Sequence, residues 1–156
     1  MKKLIHLIVL VLIVVNTLLS QRYDAKMLLD GKIREFIVVR PSGSVPSGGY
    51  PLVFMLHGTS GDGEKFYNIT SWKELGEKEK FITVFPSSLA YCIEEDGIMK
   101  MTTKWNNGGL QQVACPGQDF KDDVKFFRKM VDTIKATFPI NSSMVFVSGF
   151  SNGGQM

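Results

Sequence analysis

A serine between two glycines is the feature of this sequence with the clearest chemistry. The pattern Gly149-x-Ser151-x-Gly153 directly follows the apolar run 144–148. In a strand-to-helix turn of this kind, the serine is held in a strained conformation and its hydroxyl projects above the end of the sheet. The glycines lack Cβ atoms, so the strand and the next helix can approach closely. We therefore expect Ser151 to be a nucleophile, with Gly149 and Gly153 as the glycines of the elbow.

A second motif could stabilise the negative charge that a serine nucleophile creates. His57-Gly58-Thr59 follows the apolar run 51–56. In the architecture of a serine elbow, an N–H of such a loop acts together with the N–H of the residue after the serine. Thr59 and Asn152 are therefore the expected backbone donors of an oxyanion hole, and Gly58 permits the close approach. Loss of one such donor costs about 3 kcal/mol of transition-state stabilisation.

His57 is the one histidine outside the N-terminal apolar run, which contains His6. With an elbow of this type, the chain order is nucleophile, then acid, then histidine. A catalytic base that precedes the serine would violate that order. We expect His57 to support the oxyanion loop instead of acting as the base.

The elements that must position these residues alternate between strand and helix patterns. Short apolar runs bounded by glycine, proline and polar residues predict strands, and spaced apolar residues predict helices. The expected strands cover 27–29, 33–39, 51–56, 81–85 and 144–148, and the expected helices cover 71–80 and 119–138. Continuous apolar strands are typical of a parallel sheet covered on both faces. The predicted fold class is therefore α/β.

Acidic residues at the start of the second helix have two interpretations. Asp119 is the expected N-cap, and Asp122-Asp123 lie in the first turn, where the helix dipole favours anions. The pair could also suggest a metal site, but no third ligand is near in sequence. Helix-start charges and loop-anchoring hydrogen bonds are favoured, and neither a metal nor a cofactor is expected. The buried stripe of this helix is expected at Val124, Phe127, Val131, Ile134 and Phe138.

Residues 87–118 are expected to be a long irregular segment, and such segments usually have a function or a cross-link. Cys92 and Cys115 both lie in it, and in an exported protein they favour a disulfide over two free thiols. Trp105 has two interpretations with equal support. It could line the acyl or sugar site at the carboxyl ends of the strands, or it could anchor the segment by packing.

The N-terminus has the pattern of a secretory signal. A basic start is followed by the mainly apolar residues 4–15, and residues 16–20 are smaller and more polar. The apolar run is short for a membrane span, which needs roughly 20 residues. We expect residues 1–20 to be a signal peptide and the rest to be secreted, without stable membrane association after cleavage. An uncleaved anchor is the alternative.

Composition limits the function classes. A chain of 156 residues that is 44% hydrophobic and 21% charged has room for one domain with a core. Without Lys2 and Lys3, 16 basic residues stand against 15 acidic ones. This balance gives little support for nucleic-acid binding, and it leaves the oligomeric state open.

Four motifs occur in an order that resembles a known family. They are Leu56-His57-Gly58-Thr59, Trp105-Asn106, 122–127 with its Asp-Asp-Val start, and the Ser-Asn-Gly-Gly elbow within 148–156. Over about residues 23–156 the sequence resembles the secreted polyhydroxybutyrate depolymerase and feruloyl esterase group of α/β-hydrolases. The resemblance implies a mostly parallel sheet with flanking helices and a serine esterase activity. Its substrates would be polymeric or aryl esters, such as polyhydroxyalkanoate or the feruloyl and acetyl esters of xylan.

One departure from that family concerns the catalytic acid and histidine, which follow the elbow there. Here Met156 is the fifth residue after Ser151. We therefore expect 21–156 to be the N-terminal part of one α/β-hydrolase domain, truncated just after the elbow and inactive by itself. The alternatives are a non-catalytic hydrolase-like protein that binds a polymer or partner, and a serine peptidase on the same fold.

Overall fold

The computed structural model describes residues 20–156. The expected signal peptide, residues 1–20, lies outside the described residues apart from Ser20. No helix within 20–156 is long and apolar enough to span a bilayer.

A hairpin is the first element within residues 20–156. Strands β1 (Gln21–Leu29) and β2 (Lys32–Arg40) pair in antiparallel fashion. Asp30 and Gly31 join them with φ angles of 50° and 75°, as in the tight turns that match the twist of a hairpin. The sequence predicted this strand–turn–strand unit, although β1 begins six residues earlier than expected.

The hairpin belongs to a five-stranded sheet with three further strands. These are β3 (Tyr50–Leu56), β4 (Ile82–Pro86) and β7 (Ile140–Gly149), and the sheet order is β1-β2-β4-β3-β7. Strand β3 runs parallel to both β4 and β7, whereas β2 is antiparallel to β1 and β4. Leu56 pairs with Gly149, so the loop after β3 and the turn after β7 begin side by side.

Within residues 20–156, three α-helices accompany the sheet. They are α1 (Gly63–Ile69), α2 (Trp72–Glu79) and α3 (Asp123–Thr137). The sequence predicted α2 and α3 but not α1, which has only 7 residues and too few apolar positions for a helical period. The start of α1 has a local signal in the sequence, which is the N-cap residue Asp62. Its side chain accepts a hydrogen bond from the Lys65 N–H.

Helix α3 begins later than predicted. Its N-cap is Asp122, which accepts from the Lys125 N–H, so the expectation that Asp119 caps the helix is wrong. The shift rotates the buried face. The side chains that reach the core are Phe126, Met130 and Ile134, together with Asp123. Val124 of the expected stripe is 46% exposed, and the other expected members except Ile134 pack at the flank of the core.

The two faces of β3 explain its continuous apolar sequence. Leu52, Phe54 and Leu56 belong to a core cluster that includes the buried side chains of α3. Val53 and Met55 belong to a second cluster on the opposite face, where the aromatic side chains of α1 and α2 pack. Alternation of side chains along a strand produces this division. The layered arrangement is the one expected for an α/β fold.

The segment 87–118 is more ordered than predicted. Strands β5 (Ala90–Glu95) and β6 (Ile98–Thr103) form a separate two-stranded sheet, and a 3-10 turn covers Leu110–Gln112. The expectation of a long irregular segment is therefore wrong for its first half. The hairpin turns at Asp96-Gly97, where both φ angles are positive. Cys92 of β5 and Cys115 form a disulfide with a Cα–Cα distance of 5.4 Å.

Candidate active site

Ser151 lies where the chain turns sharply after β7. The strand ends at Gly149, and a short 3-10 helix, Ser151–Gln155, follows. Ser151 has a φ of 51°, a left-handed conformation that a non-glycine residue adopts only with strain. The Phe150 N–H donates to the Leu56 C=O at 3.0 Å and holds the turn against β3. This geometry is that of a strained strand-to-helix elbow.

The two glycines of the elbow have no room for a side chain. A Cβ atom on Gly149 would lie 2.3 Å from the Gly153 carbonyl oxygen. A Cβ atom on Gly153 would lie 2.5 Å from the carbonyl oxygens of Leu56 and His57. Favourable carbon contacts need about 3.5 Å or more. The turn can therefore close in this form only with glycine at both positions.

The loop after β3 passes directly beside the serine. A Cβ atom on Gly58 would lie 3.3 Å from the Cβ of Ser151. The backbone N–H of the next residue, Thr59, has no acceptor among residues 20–156. Asn152 lies in the first turn of the 3-10 helix, where N–H groups lack intrahelical partners. Two N–H groups are thus available on the two backbone segments that meet at Ser151.

His57 is buried, and both of its ring nitrogens have partners. Nδ1–H donates to the Gly58 carbonyl oxygen at 2.7 Å, and Nε2 accepts from the Ser88 N–H at 3.0 Å. Burial lowers the pKa of His57, while the hydrogen bond to Gly58 opposes that effect. Because neither nitrogen is left for proton transfer to Ser151, this geometry suits a residue that supports the loop.

Trp105 lies beneath the site and not on its surface. Its side chain is 0% exposed, and its ring packs on His57 and Phe127 at centroid distances of 4.9 Å and 5.4 Å. The Trp105 Nε1–H donates to the His57 carbonyl oxygen at 2.8 Å. A side chain without exposed surface cannot contact an acyl or sugar group. The interpretation of Trp105 as a substrate-lining residue is therefore wrong, and the alternative of a packing anchor describes its contacts.

The role of Asp123 depends on a partner that the sequence did not reveal. Its Oδ1 forms a buried ion pair with Arg34 Nη2 at 2.5 Å, and its Oδ2 accepts from the Asn106 N–H at 2.7 Å. The second contact is a loop-anchoring hydrogen bond of the kind expected at this helix start. The ion pair joins β2 to α3, residues 89 positions apart, so no local pattern could have predicted it.

A groove of about 200 Å³ opens beside the loop that follows β3, residues 57–62. Its walls include the loop itself, Lys65, Ile69 and Phe150. Ile69 and Phe150 are 76% and 67% exposed, so the groove has an apolar border next to Ser151. An apolar concave surface of this kind can receive part of a small organic ligand.

The described residues do not supply a complete catalytic triad. His57 is the one histidine within 20–156, and its ring is engaged as described. Across the same range, no group of three His, Cys, Asp or Glu side chains converges where a metal ion could bind. A strained serine beside backbone N–H groups is an arrangement that can supply the nucleophile and the oxyanion donors of an acyl transfer.

Part of this chain is similar in sequence to a known protein. No protein-family model matches it. It is 28% identical over 124 residues to the bifunctional acetylxylan esterase/xylanase XynS20E of Neocallimastix patriciarum. The matched region covers 80% of this chain and 15% of that protein. The chain therefore spans less than a sixth of the curated relative that it matches.

Solved structures show the fold. An acetyl xylan esterase from Aspergillus awamori matches with a TM-score of 0.60 and 20% identity, over 85% of this chain and 43% of that one. An S-formylglutathione hydrolase from Agrobacterium tumefaciens matches with a TM-score of 0.63 and 14% identity, over 86% and 50%. Together with the sheet order and the serine turn, these matches define the class. The chain has the α/β-hydrolase fold and spans half or less of these two structures.

Proposed function

We propose that this chain carries the nucleophile and the oxyanion hole of a secreted carboxylic-ester hydrolase. The observation that carries the proposal is the strained Ser151, with its φ of 51°, beside the Gly58 loop. Ser151 Oγ attacks the ester carbonyl carbon, and the N–H groups of Thr59 and Asn152 stabilise the resulting oxyanion. Release of the alcohol leaves an acyl-serine, which water then hydrolyses.

The sequence relative supports one substrate class. The match to a bifunctional acetylxylan esterase/xylanase favours acyl groups on a xylan-type polysaccharide. The apolar groove between Ile69 and Phe150 offers space for part of such a substrate next to the serine. Feruloyl esters and polyhydroxyalkanoates are the other substrates that the elbow chemistry allows.

Two features support secretion. The N-terminal segment 1–20 has the pattern of a signal peptide. The Cys92–Cys115 disulfide suits an oxidising compartment. Neither feature depends on the catalytic residues, so secretion can be tested separately by analysis of the N-terminus of the protein in the medium.

The base and the acid of the triad lie, in this proposal, outside residues 20–156. The ring of His57 is occupied by Gly58 and Ser88, and the solved structures with this fold are about twice as long as the part that matches. A histidine oriented by an acid in the remaining part of the fold would deprotonate Ser151. The isolated chain 20–156 is accordingly expected to have little activity.

The engagement of both His57 ring nitrogens also favours a second candidate function. Without a base within 20–156, the fold could bind a polymer or partner through the groove and catalyse nothing. The two candidates differ in one measurable property, which is hydrolysis that depends on Ser151. The peptidase alternative differs in substrate and is tested with the same protein.

The test is expression of the full open reading frame that contains this chain, followed by assays of p-nitrophenyl acetate and of acetate release from acetylated xylan. Ser151→Ala is expected to reduce ester hydrolysis by on the order of a thousandfold or more. Ser142→Ala, an exposed serine on the same strand, is the matched control and should keep full activity.

The outcomes separate the candidates. Full activity of Ser151→Ala would contradict the serine mechanism. A folded wild-type protein without ester hydrolysis that still binds xylan would support the non-catalytic candidate. Hydrolysis of feruloyl esters, polyhydroxybutyrate or peptides in preference to acetylated xylan would change the substrate class and leave the nucleophile in place.

A further inference from the structure

One short segment contacts both backbone regions that carry the proposed oxyanion donors. On the side of the oxyanion loop, the Ser60 N–H donates to the Thr103 carbonyl oxygen at 2.9 Å. The Thr103 hydroxyl donates to the Gly61 carbonyl oxygen at 2.5 Å, and the hydroxyls of Ser60 and Thr102 lie 2.8 Å apart. Three hydrogen bonds thus fix the two residues that follow Thr59.

The same segment also holds the elbow. Two residues after Thr103, the Trp105 N–H donates to Asn152 Oδ1 at 2.7 Å, and Asn152 Nδ2 donates in return to the Trp105 carbonyl oxygen at 3.4 Å. Through its indole N–H, Trp105 also binds the carbonyl oxygen of His57. The segment Thr102–Trp105 therefore holds the side chain of Asn152 and also the loop that contains Thr59.

The segment has its own supports, so it can act as a rigid reference. Thr102 and Thr103 end strand β6 and pair with Tyr91 and Ala90 of β5. The disulfide from Cys92 ties β5 to the chain beyond the 3-10 turn. The next residue after Trp105 is held by Asp123, as described above.

We propose that the segment Thr102–Trp105 is a positioning element that sets the separation of the two oxyanion donors, Thr59 and Asn152. This inference rests on the proposed esterase function and adds to it a four-residue segment whose hydrogen bonds reach the neighbours of Thr59 and Ser151. Oxyanion donors act only when they lie 2.7–3.1 Å from the developing charge. A misplacement of about 1 Å at a catalytic group can cost on the order of a hundredfold in rate.

The sharpest test removes one hydroxyl of this element. Thr103→Val keeps the branched shape and the backbone pairing but loses the donor to the Gly61 carbonyl oxygen. In the full open reading frame we expect kcat for p-nitrophenyl acetate to fall by roughly tenfold with KM nearly unchanged, because the loss acts in the transition state. Thr103→Ser restores the donor and should recover most of the lost kcat.

Thr70→Val is the matched control. The Thr70 hydroxyl also donates to a backbone carbonyl oxygen, that of Phe66 at 2.7 Å, and it is half-buried like Thr103. It lies at the end of α1 and forms no hydrogen bond with the segment Thr102–Trp105. Thr70→Val should keep kcat, even if it lowers the melting temperature as much as Thr103→Val does.

A second readout concerns the transition state directly. An arylboronic acid forms a tetrahedral adduct with the nucleophilic serine, and its affinity should weaken by about the same factor as kcat in Thr103→Val. Wild-type kcat in Thr103→Val, or a loss that Thr70→Val shares, would overturn the positioning role and leave the esterase proposal intact. Absence of Ser151-dependent hydrolysis in the wild type would instead overturn the proposed function and this role with it.

Discussion

The backbone N–H of Trp105 donates a 2.7 Å hydrogen bond to the side-chain oxygen of Asn152. Asn152 follows Ser151 at the elbow, whereas Trp105 comes two residues after strand β6 of the hairpin. Both side chains are buried. The contact therefore joins the disulfide-linked hairpin region to the serine turn, and a change in the packing of one is expected to reach the other.

Replacement of Trp105 by phenylalanine should destabilise the protein clearly. The change removes the indole N–H that binds the His57 carbonyl oxygen and leaves a void in a completely buried position. We expect the free energy of unfolding in urea to fall by about 2–4 kcal/mol, from the unsatisfied carbonyl and the lost contacts. Trp72→Phe, at a half-buried position of α2, should cost less than about 1.5 kcal/mol. Equal losses in the two variants would contradict the anchoring role.

The ion pair of Arg34 and Asp123 gives a second prediction about stability. Asp123→Ala leaves the buried Arg34 guanidinium without its carboxylate and should cost about 3–5 kcal/mol. The neighbouring substitution Asp122→Ala removes only the N-cap of α3 and should cost about 1 kcal/mol. Urea unfolding of both variants measures the difference. If Asp123→Ala were as mild as Asp122→Ala, the ion pair would not be needed to hold β2 and α3 together.

The parts of the fold with a local signal could be predicted from the sequence. Strand β3 was recognised because burial on both faces requires an uninterrupted apolar run. The elbow was recognised because its geometry demands glycine at two fixed positions, and a Cβ on Gly149 or Gly153 would indeed clash with backbone atoms. In both cases the constraint, burial on two faces or close backbone approach, acts on the same few residues that form the sequence pattern.

The parts that were missed depend on distant partners or on exposed residues. Strand β6 has no alternation of apolar and polar residues, and its apolar side chains Ile98, Met99 and Met101 are all exposed. The one local signal of the β5–β6 hairpin was the Asp96-Gly97 turn, which is typical of a hairpin. The burial of Trp105 follows from contacts with His57 and Asn152. No spacing rule within residues 87–118 could have shown them.

The burial of His57 predicts a dependence of stability on pH. Desolvation lowers the pKa of His57 in the folded protein, whereas the unfolded chain has a histidine pKa of about 6.5. The unfolded state therefore binds the proton more readily. The contribution of the neutral ring to stability is complete above about pH 6.5 and is lost as the pH falls from there toward the folded pKa.

Urea unfolding at about pH 7.5 and pH 5.5 measures this effect. The free energy of unfolding should decrease more in the wild type than in His57→Gln, which cannot titrate in this range. Carboxylate titration contributes to both proteins and cancels in the comparison. A parallel decrease in the two proteins would mean that His57 is not held neutral by burial.

The close approach at the elbow gives the last prediction. The Cβ of an alanine at position 153 would lie 2.5 Å from the carbonyl oxygens of Leu56 and His57. These are backbone atoms at the end of β3, so rotation of a side chain cannot relieve the clash. Gly153→Ala should therefore move the elbow away from the oxyanion loop and lower the free energy of unfolding by about 1–3 kcal/mol or more.

Under the proposed function, the same displacement should abolish Ser151-dependent ester hydrolysis in the full open reading frame, because the proposed nucleophile and the proposed Thr59 donor would no longer share one site. Gly109→Ala is the matched control, since its Cβ would have no neighbour closer than 3.5 Å and its φ is −92°. We expect that variant to change stability by less than about 1 kcal/mol and to keep its activity. Wild-type stability and activity in Gly153→Ala would show that the elbow does not require this close approach.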